Sequence, residues 1–257
     1  MRKRIAAVLL LAGVCLNFVS CKVQCPDAGG NEDTPLENAG ENMRVRIISR
    51  DEDGFVAAGI DDEDGSVFFI EHSDMDGVDK KIVPGDVVKF SYDNINKDTE
   101  PYLIDKIEDP EILNSEFNNL SSLYLKVFED LWEEEKQLLS QGISYLGVDM
   151  SKTGISKSEK MAVAYIFAEN HGAKPIMGTF EELKEARYID EENLYFKDGC
   201  LFSVREDQKG EEANSDIKFT AGVWMSGLCA YYMGDCTAHM LKNGTWSDYK
   251  VGYFAVS

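Results

Sequence analysis

The run Arg44-Val45-Arg46-Ile47-Ile48-Ser49-Arg50-Asp51-Glu52-Asp53-Gly54-Phe55-Val56-Ala57 decides how the chain is read. Two short apolar stretches flank an acidic Asp-Gly turn. Asp-Gly between apolar runs is a strong hairpin signal, because a type I′ turn needs positive φ at both central positions. The same grammar continues to residue 107. Val67–Ile70, Val87–Phe90 and Tyr102–Ile104 read as strands, separated by Asp64-Gly65, Asp76-Gly77 and Pro84-Gly85. Five short strands in so small a segment predict an antiparallel β-barrel of the OB or SH3-like kind over residues 44–109.

The pattern changes at Pro110. Apolar residues at 117, 120, 124, 127, 128 and 131 follow the spacing of one helix face, Trp132 widens that face, and Gly142 closes the helix. Ile143–Val148 reads as a buried strand. Ser156-Lys157-Ser158-Glu159 and Thr179-Phe180-Glu181-Glu182 are capping boxes, each opening a helix. Gly172 and Pro175 end the first of these, and the second runs to about Arg187. Beyond it lie strands near 194–197, 200–204, 217–224, 228–241 and 245–256, with Asn243-Gly244 the strongest hairpin turn. Residues 110–257 are therefore expected to form an α+β domain, with helices packed on one face of an antiparallel sheet.

The N-terminal stretch fixes a location. Arg2, Lys3 and Arg4 precede an apolar run from Ile5 to Val19 that is too short to span a bilayer comfortably, then Ser20 and Cys21. This is the pattern of a secretory signal over residues 1–20. Phe18-Val19-Ser20-Cys21 resembles the bacterial lipobox, with Phe18 in place of the usual leucine. The resemblance implies that Cys21 is acylated and holds the chain on the extracytoplasmic face of the cell membrane. Residues 21–43 carry Pro, Gly, Asn, Asp and Glu with no aromatic residue, and read as a disordered tether. Val83-Pro84-Gly85-Asp86-Val87-Val88 and Pro101-Tyr102-Leu103-Ile104-Asp105-Lys106-Ile107 resemble an uncharacterised family of small β-barrel modules in bacterial secreted proteins and lipoproteins. That family brings no activity with it.

Charge narrows the function. The chain has 47 acidic and 26 basic residues, and removing residues 1–20 takes away three cations and no acid. Such an excess repels nucleic acid and suits a basic protein partner. The acidic turns lack the spacing of a calcium loop and read as solvated hairpin ends. His72, His171 and His239 form no metal or protease motif, and no phosphate loop or G-x-S-x-G elbow occurs, so no catalytic residue, metal or cofactor is assigned. Of the cysteines, Cys25, Cys200, Cys229 and Cys236 follow the lipidation site. They are read either as free thiols or as one disulfide, Cys229 with Cys236 or with Cys200. The C-terminal strands are rich in aromatic residues. Trp224, Tyr231, Tyr232, Trp246 and Tyr253 are candidates for a binding face as well as core, because Tyr and Trp are enriched in binding hot spots.

The resulting expectation is a lipid-anchored envelope protein that binds a protein or envelope ligand without catalysis. Two alternatives stand beside it: a carboxylate-dependent hydrolase of cell-wall or extracellular material, and a protective protein against a basic toxin or protease.

Overall fold

The computed structural model describes residues 41–61, 64–139, 142–207 and 216–257. The signal stretch, Cys21, Cys25, most of the tether and the polar loop 209–215 lie outside the described residues. The first part of the fold contains β1 (Glu41–Arg50), β2 (Gly54–Gly59), β3 (Val67–Glu71), β4 (Val87–Tyr92), β5 (Asn94–Asn96), β6 (Tyr102–Asp105) and β7 (Glu108–Ile112). A turn over residues 51–53 joins β1 to β2, with Arg50 opposite Phe55 and Ile47 opposite Ala57, but it is not the type I′ turn expected of Asp53-Gly54: neither residue has positive φ, and Gly54 is already the first residue of β2. Asp51 closes that turn by accepting from the N–H groups of Asp53 and Gly54. Residues 41–43, assigned from composition to the tether, are already strand.

The expected barrel does not form. The strand order is β5-β6-β3-β2-β1-β4-β7, an open sheet in which β5 and β7 are not paired with each other. It is also mixed, because β3 and β6 run parallel, with Phe68 opposite Tyr102. The reason is physical. β5 has only three residues, and β7 carries Pro110, which lacks an N–H for a closing ladder. Moreover, β2 is buried along its whole length. Phe55 and Ala57 face a core with Ile47, Phe68 and Phe90, whereas Val56 and Ala58 belong to a second core shared with the helices. An outer face covered by protein has no need to curl into a closed barrel.

The rest of the chain contains α1 (Leu120–Glu134), α2 (Lys136–Leu139), β8 (Tyr145–Lys152), α3 (Lys157–Asn170), β9 (Lys174–Met177), α4 (Phe180–Glu185), β10 (Ile189–Asp190), β11 (Tyr195–Phe196), β12 (Gly199–Glu206), β13 (Asp216–Ser226), β14 (Cys229–His239) and β15 (Tyr253–Val256). Both capping boxes are present, at Ser156 with Glu159 and at Thr179 with Glu182. The expectation of an antiparallel sheet is overturned here as well. β8 runs parallel to both β9 and β12, while β13, β14 and β15 are antiparallel to their neighbours, so this sheet too is open and mixed. Two parallel strands need a crossover, which α3 supplies between β8 and β9. Pro175, read as a helix stop, lies inside edge strand β9, where its missing N–H costs no central ladder bond.

Helices α1 and α3 lie on one face of the second sheet and α4 on the other. Phe128, Phe167 and Phe202 interlock there, with ring centroids 4.7–5.9 Å apart. Each is fully buried and contributes roughly 1.5–3 kcal/mol of transfer free energy. This core continues without a break into Ile48, Val56, Ala58 and Val67 of the first sheet, and residues 39–257 form one compact unit.

Candidate binding edge

Strands β13 and β14 form the longest hairpin of the protein, and β15 pairs along the outer side of β14. Residues directly opposite in an antiparallel pair share a face. Trp224, Tyr232 and Tyr253 therefore lie on the face turned away from α1 and α3, and Tyr231 lies on the helix face. Trp224 is covered there by Phe180 of α4, ring centroids 4.9 Å apart. Tyr232 lies over Gly222 and Tyr253 over Gly234, so closely that a Cβ on Gly234 would come within 2.0 Å of the Tyr253 ring. These two aromatics fill the gap that a strand glycine leaves. Trp246 is in neither strand. It sits in the connection from β14 to β15, where its indole N–H donates to Asn118 and its backbone N–H to Asn119. The five aromatics singled out from the sequence thus do not converge on one surface.

The cysteines are likewise apart. Cys200, Cys229 and Cys236 are free thiols. Cys229 and Cys236 lie toward opposite ends of β14, seven residues apart on one extended strand, or about 20 Å, far beyond disulfide reach. Burial pushes the Cys236 thiol up to about 11, with Asp235 adding to the effect, and pushes Cys200 up as well. Such thiols stay protonated and unreactive at neutral pH.

What the fold does assemble is an edge. Sheet edges expose unpaired backbone groups, and proteins blunt them with charge, proline or brevity. Among the described residues, β5 and β10 have three and two residues, β7 carries three acids and Pro110, and β9 carries Lys174 and Pro175. β15, Tyr253-Phe254-Ala255-Val256, has no charge and no proline, and all four residues are exposed. Ala230 and Ser257 exchange both backbone hydrogen bonds. By the alternation of an antiparallel ladder, Phe254 and Val256 turn their N–H and C=O groups outward.

The side chains beside that edge are apolar. Phe254 lies against the Tyr231 ring, centroids 5.9 Å apart. A hollow of about 230 Å³ opens next to it, lined by Val223, Met225, Cys229, Tyr231, Val256 and Glu135. Leu228, in the β13–β14 turn, is 91% exposed, Val256 77% and Phe254 60%. The wall of the hollow is acidic: burial and then Glu134 and Glu135 raise the Tyr231 hydroxyl, and burial and then Glu135 raise the Cys229 thiol. An outward backbone row, an apolar hollow and carboxylates from the end of α1 together suit an extended segment bearing apolar and basic side chains. Val256, Leu228 and Glu135 were not marked as a site by the sequence reading. For Val256 the signal is the run of four uncharged residues Tyr253–Val256. Comparison with known protein families and with curated proteins finds no match to this chain.

Proposed function

We propose that this chain is a bacterial envelope lipoprotein, acylated at Cys21, whose folded part is a binding module without catalysis that takes up a basic polypeptide segment by strand addition at β15. The observation that carries the binding reading is the edge itself: of the sheet edges described, β15 alone is neither charged, interrupted by proline nor shorter than four residues. Main-chain bonds to Phe254 and Val256 would supply affinity, and the hollow beside Tyr231 would select alternate side chains. Glu134 and Glu135 favour Lys or Arg on the incoming strand. The anchor reading rests on the lipobox-like Phe18-Val19-Ser20-Cys21.

The test places a photo-cross-linking amino acid at Leu228, beside the edge, in the anchored protein in cells. Val256→Pro and Cys21→Ala serve as comparison variants. Proline at 256 removes an outward N–H and leaves the bonds to β14 in place, so folding is retained. The expected result is one dominant adduct through a basic segment, lost in Val256→Pro and at high salt, and reduced in Cys21→Ala. An adduct pattern indifferent to Val256→Pro would overturn strand addition. A Cys21→Ala protein that remains with the membrane would overturn the anchor.

A further inference from the structure

A second site, independent of the β15 edge, lies at the carboxyl end of the parallel strands. β8 stands between β12 and β9, and all three run in the same direction. The chain leaves β8 into α3 on one face of the sheet and leaves β9 into α4 on the other. Where connections diverge in this way, a crevice opens beyond the strand ends, and ligands of open α/β sheets bind there. Here the crevice is a pocket of about 370 Å³ lined by Asp149, Ser151, Lys152, Thr179, Arg205 and Glu206, within the size range of small-molecule sites.

Its two acids and two cations are not paired alike. Glu206 accepts from the Tyr124 hydroxyl and from the Gly154 N–H, and Asp149 accepts from the Ser151 N–H at 2.9 Å. Lys160 on α3 lies close enough to Glu206 and Asp149 to feel both carboxylates. The acids are therefore served by the protein. The cations are not. Arg205 and Lys152 stand opposite each other in the β12–β8 register, and neither makes a hydrogen bond or ion pair among the described residues. Arg205 and Lys152 thus bring two cations with no partner among the described residues to the wall of one pocket.

We infer that this crevice binds a small molecule carrying one anionic group, phosphate or carboxylate, next to hydroxyl or amino donors. The Arg205 guanidinium offers the fork that grips such an anion through two parallel bonds, and the Lys152 ammonium adds a point charge. The Ser151 hydroxyl, which has no hydrogen-bond partner among the described residues, is a third donor. Asp149 on the same wall accepts from the ligand's hydroxyl or amino groups and disfavours a second negative charge.

The experiment is an amide-resolved NMR titration of the folded chain at constant ionic strength with inorganic phosphate, glycerol 3-phosphate and glucuronate, and with sodium chloride as reference. The inference expects saturable shifts at Ser151, Lys152 and Arg205 with glycerol 3-phosphate or glucuronate, and about tenfold weaker binding in Arg205→Gln and in Lys152→Gln. Preference between the two organic probes tells phosphate from carboxylate. Shifts that fail to saturate with every probe, that match those of chloride, or that persist unchanged in Arg205→Gln would overturn it. Because both side chains reach solvent, their amide variants keep the fold, and dispersed spectra of the variants verify this.

Discussion

Arg46 of β1 and Glu159 of α3 meet with nitrogen and oxygen 3.2 Å apart, and both side chains are largely buried. The guanidinium also donates to the carbonyls of Gly85 and Glu116, and Glu159 accepts from the Ser121 hydroxyl and the Ser156 N–H. One carboxylate thus caps a helix and compensates a cation from the other sheet. Glu159→Ala leaves that cation without its counter-charge, so a loss of about 3 kcal/mol is expected in denaturant unfolding. Glu159→Gln should lose less, because it keeps acceptors for Ser121 and the cap. The cysteines give a second prediction at this scale. With Cys200 and Cys236 buried and protonated, a thiol reagent should label at most one cysteine of residues 41–257 in the native protein, Cys229, and all three in denaturant. Rapid native labelling of Cys236 would contradict the packing described. The cap at Glu159 was legible in the sequence because its partners lie three residues away. Its pairing with Arg46, more than a hundred residues distant, left no local mark.

At the scale of elements, the same contrast separates what the sequence disclosed from what it hid. The hairpin of β1 and β2 and the helix starts at Ser156 and Thr179 are local and read correctly, although the turn itself is not of the type that Asp53-Gly54 suggested. Strand direction is a property of partners far apart in the chain. β8 pairs with β12 across some fifty residues and could not be recognised as parallel from its own composition. The binding face expected from aromatic content dispersed because alternation sends Tyr231 and Tyr232 to opposite faces. The element that most constrains the architecture is β2, buried on both sides. Ala58 turns toward the core shared with α3 and has no exposed surface. A larger residue there must push the helix away. Ala58→Leu is expected to destabilise by about 1–3 kcal/mol through overpacking, whereas Ala255→Leu on exposed β15 should change stability by less than about 0.5 kcal/mol. Equal effects at the two positions would mean that β2 and α3 are not packed as described.

For the molecule as a whole, the core that runs from the first sheet through α1 and α3 to the second sheet predicts joint unfolding. All three tryptophans, Trp132, Trp224 and Trp246, lie after residue 110, whereas both sheets contribute to the far-ultraviolet circular dichroism. The two signals should give one common midpoint, and separate midpoints would show that the sheets unfold independently. Charge acts at the same scale, in two opposing ways. The formal net charge is −21 at pH 7, so lowering the pH toward 5 relieves repulsion and should raise stability. Below that, particular carboxylates reverse the trend. Burial alone would push Glu129 up, but hydrogen bonds from His171 and Asn170 together outweigh it and hold the group below its ordinary value. Asp61 is likewise held down by its hydrogen bond to Arg44. A depressed carboxyl contributes stability that is fully present above its unfolded value, near 4, and is lost as the pH falls through its folded value. Thermal midpoints measured from pH 7 down to pH 3 should therefore pass through a maximum near pH 5 and then fall. Glu129→Gln should show a shallower fall on the acid side than the parent chain. A midpoint that declines steadily from pH 7, in parent and variant alike, would mean that neither the excess negative charge nor the Glu129 carboxylate sets the stability of this fold.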